Sequence, residues 1–259
     1  MSTRYLINPE NRIALITNSN VMYGLENTTM HSIVQAIPGA QRRLPVLTEK
    51  GNLAGILTYT DLIKALLGGR APHSRLESFM TREVVSCGHD SSVYAVMNIL
   101  RNSGVGGVPV LRGRKLFGLV NERDFLNVLA LKPNTSTVEE IMTRKPFYIN
   151  SSLPILDCIK SMAGTKYRRF PVVENKKLVG IVTSYDVLTH LRKVNFNIAE
   201  LSDPVRAVAK PAITLSKGDD AAEAIRIMKE NSIGGIPVVE DGRLEGIVTE
   251  YDFIRKVSV

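Results

Sequence analysis

The chain has 259 residues, a size for one large domain or two modest ones. At 44% hydrophobic and 22% charged it has ordinary core-forming capacity, which excludes a disordered chain or a long coiled coil. The formal net charge of +8 suits an anionic partner: nucleic acid, an acidic lipid surface or a phosphorylated small molecule. The two cysteines, Cys87 and Cys158, are far apart and form no C-x-x-C pair. They read as buried thiols of a reducing compartment, not as a disulfide framework or zinc site. No apolar run approaches the roughly 18 residues of a membrane span, and the first residues lack an apolar signal core. A cytoplasmic protein without membrane contact is expected.

In chain order, residues 1–11 read as an irregular arm and Arg12–Thr17 as a short strand. Glu26–Ile37 follows as a helix ended by Pro38-Gly39. A strand opens at Arg42-Arg43-Leu44-Pro45-Val46-Leu47. Leu53–Leu57 is its hairpin partner, and a helix runs from Thr58 to Leu67. The same order returns: strand Val84–Ser86, helix Asp90–Leu100, hairpin Val108–Val120, helix Asn121–Leu129. It returns again with strand Phe147–Ile149, helix Ile155–Met162, hairpin Phe170–Val182 and helix Thr183–Leu191. The last copy has strand Ile213–Leu215, helix Asp219–Lys229 and the stretch Ile233–Asp252. In that stretch Asp241-Gly242 predicts a two-residue type I′ turn, because both central residues need positive φ.

The repeat is in register. Pro45, Pro109, Pro171 and Pro237 are spaced 64, 62 and 66, and Asp61, Asp124, Asp186 and Asp252 are spaced 63, 62 and 66. The one-residue discrepancy is an insertion in the first hairpin, within Glu49-Lys50-Gly51-Asn52. Each unit is therefore β-α-β-β-α, with its own glycine in the second hairpin strand: Gly55, Gly118, Gly180 and Gly246. The units are placed at 12–69, 76–131, 138–193 and 200–259. A unit of about 60 residues has trouble enclosing a core alone, so units should pair, one with two (1–131) and three with four (132–259).

Each unit ends alike: Thr58-Tyr59-Thr60-Asp61, Asn121-Glu122-Arg123-Asp124, Thr183-Ser184-Tyr185-Asp186 and Thr249-Glu250-Tyr251-Asp252. Taken singly, each is a helix capping box that needs no ligand. Two features favour a further role. The acid is Asp in all four, where a capping box prefers Glu or Gln, and each follows an apolar strand beginning with Gly. Strand ends of layered α/β folds form ligand crevices. A carboxylate there can accept both hydroxyls of a ribose, while a hydroxyl and free helix N–H groups can donate to phosphate.

The G-h-h-[T/N]-x-x-D ending, the x-x-h-P-V strand and the 60-residue period resemble the CBS domain, in four tandem copies from about residue 12. The resemblance implies an α/β (α+β) fold in which two CBS units pack through their sheets into a Bateman module with two clefts. Two such modules would form one flat disc of pseudo-fourfold arrangement, with a homodimer as the alternative. It implies clefts that bind adenine nucleotides (AMP, ADP or ATP) or S-adenosylmethionine-type ligands. The family's ribose role falls on Asp61, Asp124, Asp186 and Asp252, and its phosphate role on Thr58, Thr183 and Thr249. Asn121 stands where the family has Thr or Ser. Residues just before the P-V strand, from the partner unit, line the phosphate end. These are Arg42-Arg43 and Arg168-Arg169 (with Lys166 nearby) in units one and three, but Gly106-Gly107 and Gly234-Gly235 in units two and four. The Asp124 and Asp252 clefts are then expected to face arginines and favour multiply charged phosphates. The Asp61 and Asp186 clefts would face glycines and accept less charge or stay empty. Strand alternation would leave one Arg of each pair solvated. Val85, Phe147 and Ile213 are candidates for the adenine.

No P-loop, Rossmann fingerprint, nucleophile elbow or metal-spaced histidine pair occurs, so neither catalysis, a catalytic cofactor nor a metal is expected. The expected function is a stand-alone regulatory sensor acting on a protein partner in trans. The alternative is a basic nucleic-acid-binding face built from Arg42-Arg43, Arg112/Arg114-Lys115, Arg168-Arg169 and Lys176-Lys177.

Overall fold

The computed structural model describes residues 3–39, 41–131, 133–165 and 167–256. The first unit contains strand β2 (Gly24–Leu25), helix α1 (Met30–Ala36), hairpin β3 (Arg43–Leu47) and β4 (Leu53–Thr58), and α2 (Tyr59–Leu67). It is preceded by β1 (Thr3–Tyr5). The second has β5 (Cys87–Gly88), α3 (Val93–Ser103), β6 (Gly107–Arg112), β7 (Lys115–Asn121), α4 (Glu122–Leu126) and β8 (Leu129–Leu131). Then follow α5 (Val138–Ile141), β9 (Thr143–Arg144), β10 (Ile149–Asn150), α6 (Ile155–Gly164), β11 (Arg169–Glu174), β12 (Lys177–Thr183) and α7 (Ser184–Lys193). The last unit has α8 (Ala221–Glu230), β13 (Gly235–Glu240), β14 (Arg243–Thr249) and α9 (Glu250–Lys256).

Local chemistry accounts for these elements. Ser92 caps α3 by accepting from Ala95 N, and Gly104 ends it at φ 68. The β13–β14 hairpin turns on Asp241 and Gly242, both at positive φ, as a type I′ turn requires. The inserted residue lengthens the first hairpin loop, which spans the five residues between paired Leu47 and Leu53. Every hairpin then shifts register just past the valine opposite its repeated glycine: Val46–Gly55, Val110–Gly118, Val172–Gly180 and Val238–Gly246.

Those glycines have a shared cause. The segment leading into each unit packs on the partner unit instead of its own. Ile13 lies in the core of unit two, its N–H bonded to Ser91 O; Leu76 bonds Thr28 O of unit one. Val138 bonds Asp219 O of unit four, and Val205 bonds Leu153 O of unit three. A Cβ on Gly55 would come within 2.5 Å of Met80 Sδ, and one on Gly180 within 2.7 Å of Lys210 O, both on these crossing segments. The exchange ties one to two and three to four.

It also corrects several expected strands. Arg12–Thr17 holds a 3-10 turn, Ile13–Leu15, because it serves the partner's core. Val84–Ser86 and Phe147–Tyr148 are not strand; only Cys87–Gly88 and Ile149–Asn150 join their own sheets. At Ile213–Leu215 a single bridge, Leu215 to Val238, is made. The arm is not wholly irregular, since β1 pairs with β8, which takes the place of the end of the expected helix Asn121–Leu129.

The modules join through helices. One continuous core holds Leu62, Ile63 and Leu66 of α2 with Cys158, Ile159, Val187 and Leu188 of α6 and α7, so unit one packs on unit three. Unit two meets unit four where Ile254 of α9 enters the core of Val96 and Phe125, and Leu126 enters that of Phe253. The four units thus close a ring in which each packs on two others.

Candidate functional site

The first three terminal motifs form capping boxes, and in the fourth the Asp252 carboxylate bonds back to Thr249 in the same way. Asp61 Oδ2 accepts from Thr58 N and Oγ1, both at 2.8 Å. Asp186 Oδ2 accepts from Thr183 N at 2.9 Å and Oγ1 at 2.5 Å, and Asp252 Oδ2 from Thr249 N at 2.8 Å and Oγ1 at 2.6 Å. Asn121 takes the hydroxyl's place more loosely: its N–H donates at 2.7 Å and its Nδ2 at 3.5 Å to Asp124 Oδ2. One carboxylate oxygen in each box is therefore committed to the helix start, and the four differ in the fate of the other. Asp186 Oδ1 meets Lys210 Nζ at 2.5 Å, on the segment crossing from unit four. Asp252 Oδ1 is reached by Thr143 Oγ1 at 3.4 Å and Arg255 at 3.8 Å. Burial pushes the Asp252 carboxyl up, partly offset by Thr249, Arg255 and Thr143. It does the same to Asp124, where the Asn121 bonds oppose the shift and the Glu250 charge adds to it.

A cavity of about 430 Å³ opens at the Asp186 strand end. Thr183, Ser184, Tyr185 and Asp186 line it together with Ile233, Gly234 and Gly235 of unit four. Ile213 and Lys210 line it from the crossing segment, and Thr58–Thr60 from unit one. Arg42, Arg168 and Arg169 also line it, so arginines stand in the cleft beside the glycines. Arg168 and Arg169 come from the same unit as Asp186, and Arg42 comes from the other module.

None of the four arginines is left to solvent as strand alternation suggested. Arg43 is 5% exposed and its Nη1 donates to Asn121 Oδ1 at 3.1 Å, so the unit-one arginine reaches the Asp124 cap. The Arg169 guanidinium lies against Gly234 and Gly235, at the spot where a Cβ on either would stand. Burial and neighbouring arginines push both Arg43 and Arg169 down to about 9, so at neutral pH each remains a cation in surroundings that an added anion would stabilise. Arg42 and Arg168 are half-buried in ion pairs. Arg42 Nη1 meets Glu250 Oε2 at 2.8 Å, and Arg168 Nη2 meets Glu122 Oε2 at 3.5 Å. Arg123 Nε holds the other Glu250 oxygen at 2.8 Å. Burial raises the Glu250 carboxyl, yet Arg42, Arg169 and Arg123 outweigh it and hold it down at about 2.

Glu122 and Glu250 are the functional residues that sequence reasoning passed over. Their signal was present: the units with Gly-Gly before the P-V strand have Glu at the first helical position, and those with Arg-Arg have Tyr59 or Ser184 there. Gly106 and Gly234 give these carboxylates room, since a Cβ would stand 2.9 Å from Glu122 Oε2 and 2.5 Å from Glu250 Oε2.

The adenine candidates Val85, Phe147 and Ile213 are 40%, 47% and 41% exposed, which apolar core residues would not be. Ile213 lines the cavity, while Phe147 stacks on Tyr167 with ring centroids 6.5 Å apart. Tyr59 is buried and donates to Pro38 O and Gln41 O, as a packing residue does. Lys166 lies outside the described residues. Both cysteines are buried, which pushes Cys87 up to about 11 and Cys158 up to about 12. Among the described residues no group of His, Cys, Asp and Glu is placed to hold a metal, and no helix is long and apolar enough to cross a membrane. Of the basic pairs proposed for a nucleic-acid face, Arg42-Arg43 and Arg168-Arg169 are turned into the centre of the molecule.

The family model described as CBS domain matches residues 16–68, 76–131, 138–193 and 205–259. Protein MJ1225 of Methanocaldococcus jannaschii is 28% identical over 243 residues, spanning 83% of this chain and 86% of its own. Its crystal structure, described as that of a proposed archaeal homolog of g-AMPK, superposes with a TM-score of 0.86 over 94% of this chain and 99% of that one, at 25% identity. An uncharacterized 33.4 kDa protein in the ribosomal RNA operon of Thermofilum pendens is 26% identical, covering 83% of this chain and 80% of its own. A Pyrococcus horikoshii protein shares the fold at a TM-score of 0.64 and 18% identity, over 94% of this chain and 98% of that one.

Proposed function

The chain belongs to the CBS-domain family, and from that premise we propose that it is a regulatory protein, without catalysis of its own, that binds an adenine nucleotide at the Asp186 strand end. The observation that carries this reading is the cavity that joins a capped aspartate, exposed apolar side chains and three arginines in one space. A ribose there would place its hydroxyls on the Asp186 carboxylate and displace Lys210 from Oδ1, leaving the ammonium free for a phosphate. The cap bonds from Thr183 hold the carboxylate in position without using that second oxygen. Ile213 and Ile233 offer apolar surface to a base, and the phosphates would run toward Arg169, Arg42 and Arg168 at the centre. Asp61, Asp124 and Asp252, with Thr58, Asn121 and Thr249, are proposed as weaker sites of the same kind, with Val85 and Phe147 as candidate base contacts. The likeness to a proposed archaeal homolog of g-AMPK supports an adenine nucleotide over an S-adenosylmethionine-type ligand or nucleic acid.

Binding free energy in a cleft between units of one disc can shift their packing, and a protein partner acting in trans would read that shift. Calorimetric titration with AMP, ADP, ATP and S-adenosylmethionine tests the reading. At least one of the three nucleotides is expected to bind more tightly than S-adenosylmethionine. Binding of S-adenosylmethionine with no heat from any nucleotide would contradict it.

A further inference from the structure

The two cavity arginines that come from opposite modules are each already held by a carboxylate. Arg42 belongs to unit one, yet its partner Glu250 opens the last helix of unit four. Arg168 belongs to unit three, and its partner Glu122 opens the last helix of unit two. Both carboxylates are fixed in place. Glu250 is 1% exposed and has both oxygens paired, and its N–H bonds Gly234 O; Glu122 is 6% exposed and its N–H bonds Gly106 O. A capping box uses the third helical residue, so the cap gives no reason for a buried acid at the first. By contrast, Arg169 makes no ion pair within 4.0 Å among the described residues, and its guanidinium stands at the same wall of the cavity.

We propose that Glu250 and Glu122 are selectivity residues: built-in counter-anions that neutralise Arg42 and Arg168 and so set the Asp186 cleft for ligands with few phosphate charges. The inference rests on the reading of that cleft as a nucleotide site. A single phosphate can be served by Arg169 and by Lys210 once ribose has displaced it. A second or third phosphate reaching toward Arg42 meets a guanidinium already bonded to Glu250, and it lies in the field of that buried carboxylate. Like charges so placed disfavour each other, and the low polarity of a buried site strengthens the effect. The pairs cross between modules. A polyphosphate that did take Arg42 would therefore release Glu250 and loosen one link between units one and four.

The test is calorimetry with AMP, ADP and ATP on the wild type, Glu250→Gln and Glu122→Gln, with orthophosphate and tripolyphosphate as probes lacking base and ribose. The wild type is expected to bind AMP at least as tightly as ATP. Glu250→Gln should raise the ATP-to-AMP affinity ratio about tenfold, and Glu122→Gln, whose pair is longer, about threefold. An unchanged ratio in both variants would overturn the proposal. Should Glu250→Gln fail to fold, Glu122→Gln carries the test alone, since it releases a weaker contact. Should no nucleotide bind any form, the reading of the cleft fails, and the tripolyphosphate-to-orthophosphate ratio decides this inference separately: a rise supports it and no change overturns it.

Discussion

Units one and three share a backbone plan with units two and four but carry opposite chemistry at the centre. Before the P-V strand the first pair places Arg42-Arg43 and Arg168-Arg169, the second Gly106-Gly107 and Gly234-Gly235. At the first turn of the last helix the first pair has uncharged Tyr59 and Ser184, the second Glu122 and Glu250. Arg43 and Arg168 reach Gly106, Arg169 reaches Gly234 and Gly235, and Glu122 and Glu250 stand beside Gly106 and Gly234. The glycines, read alone, suggested an uncharged cleft. In the assembled molecule they are the clearance that lets charge converge there. Identical folds repeated four times can thus build inequivalent sites, provided that the differences interlock.

The largest expected effect sharpens this comparison through stability. Glu250→Ala removes a carboxylate with two close guanidinium partners and should cost about 3–5 kcal/mol in urea unfolding. Glu122→Ala, which breaks a single buried contact at 3.5 Å, should cost less, about 2 kcal/mol. Equal losses would break the distinction between the two carboxylates. Next, Gly234→Ala should cost about 2 kcal/mol, because its Cβ would stand 2.5 Å from Glu250 Oε2 and 2.7 Å from Arg169 Nη2. Gly113→Ala, at a hairpin tip with open space around it but φ +64, should cost about 1 kcal/mol for backbone conformation alone.

Acid titration of stability separates the carboxylates by sign. The Glu250 carboxyl is held down at about 2, below its unfolded value near 4.5. Its contribution is full above that value and is lost as pH falls from about 4.5 toward 2. Asp124 and Asp252 are pushed up by burial, so they take protons first in the folded state and return some stability on acidification. Thermal melts across this window should fall less steeply in Glu250→Gln than in the wild type; parallel curves would show that Glu250 is not the group being titrated.

The repeat was fully legible in the sequence because Pro45, Asp61 and their counterparts recur in register, and Asp241-Gly242 fixed a hairpin by local backbone chemistry. The lead-in segments were not legible. Arg12–Thr17 and Val84–Ser86 have the apolar, β-branched look of strands, but the first crosses onto a partner unit and the second stays outside any strand with Val85 exposed. Periodicity within a window cannot distinguish these uses. Likewise Asp186 and its Thr183 cap were identifiable as a motif, whereas the convergence of Arg42 from the opposite module depended on helix packing between distant parts of the chain. Glu250 was visible as a residue, but its role was not, since its partners Arg42 and Arg123 lie 208 and 127 positions away.

The claim that the repeated Thr–Asp motif is a cap in all four units but a principal ligand site at Asp186 is tested most directly by titrating AMP into Asp186→Ala and Asp124→Ala. Each substitution removes a helix cap and should lower stability by about 1 kcal/mol. AMP affinity should fall at least about tenfold in Asp186→Ala and less than about threefold in Asp124→Ala. Equal losses in the two variants, or none in Asp186→Ala, would contradict the account.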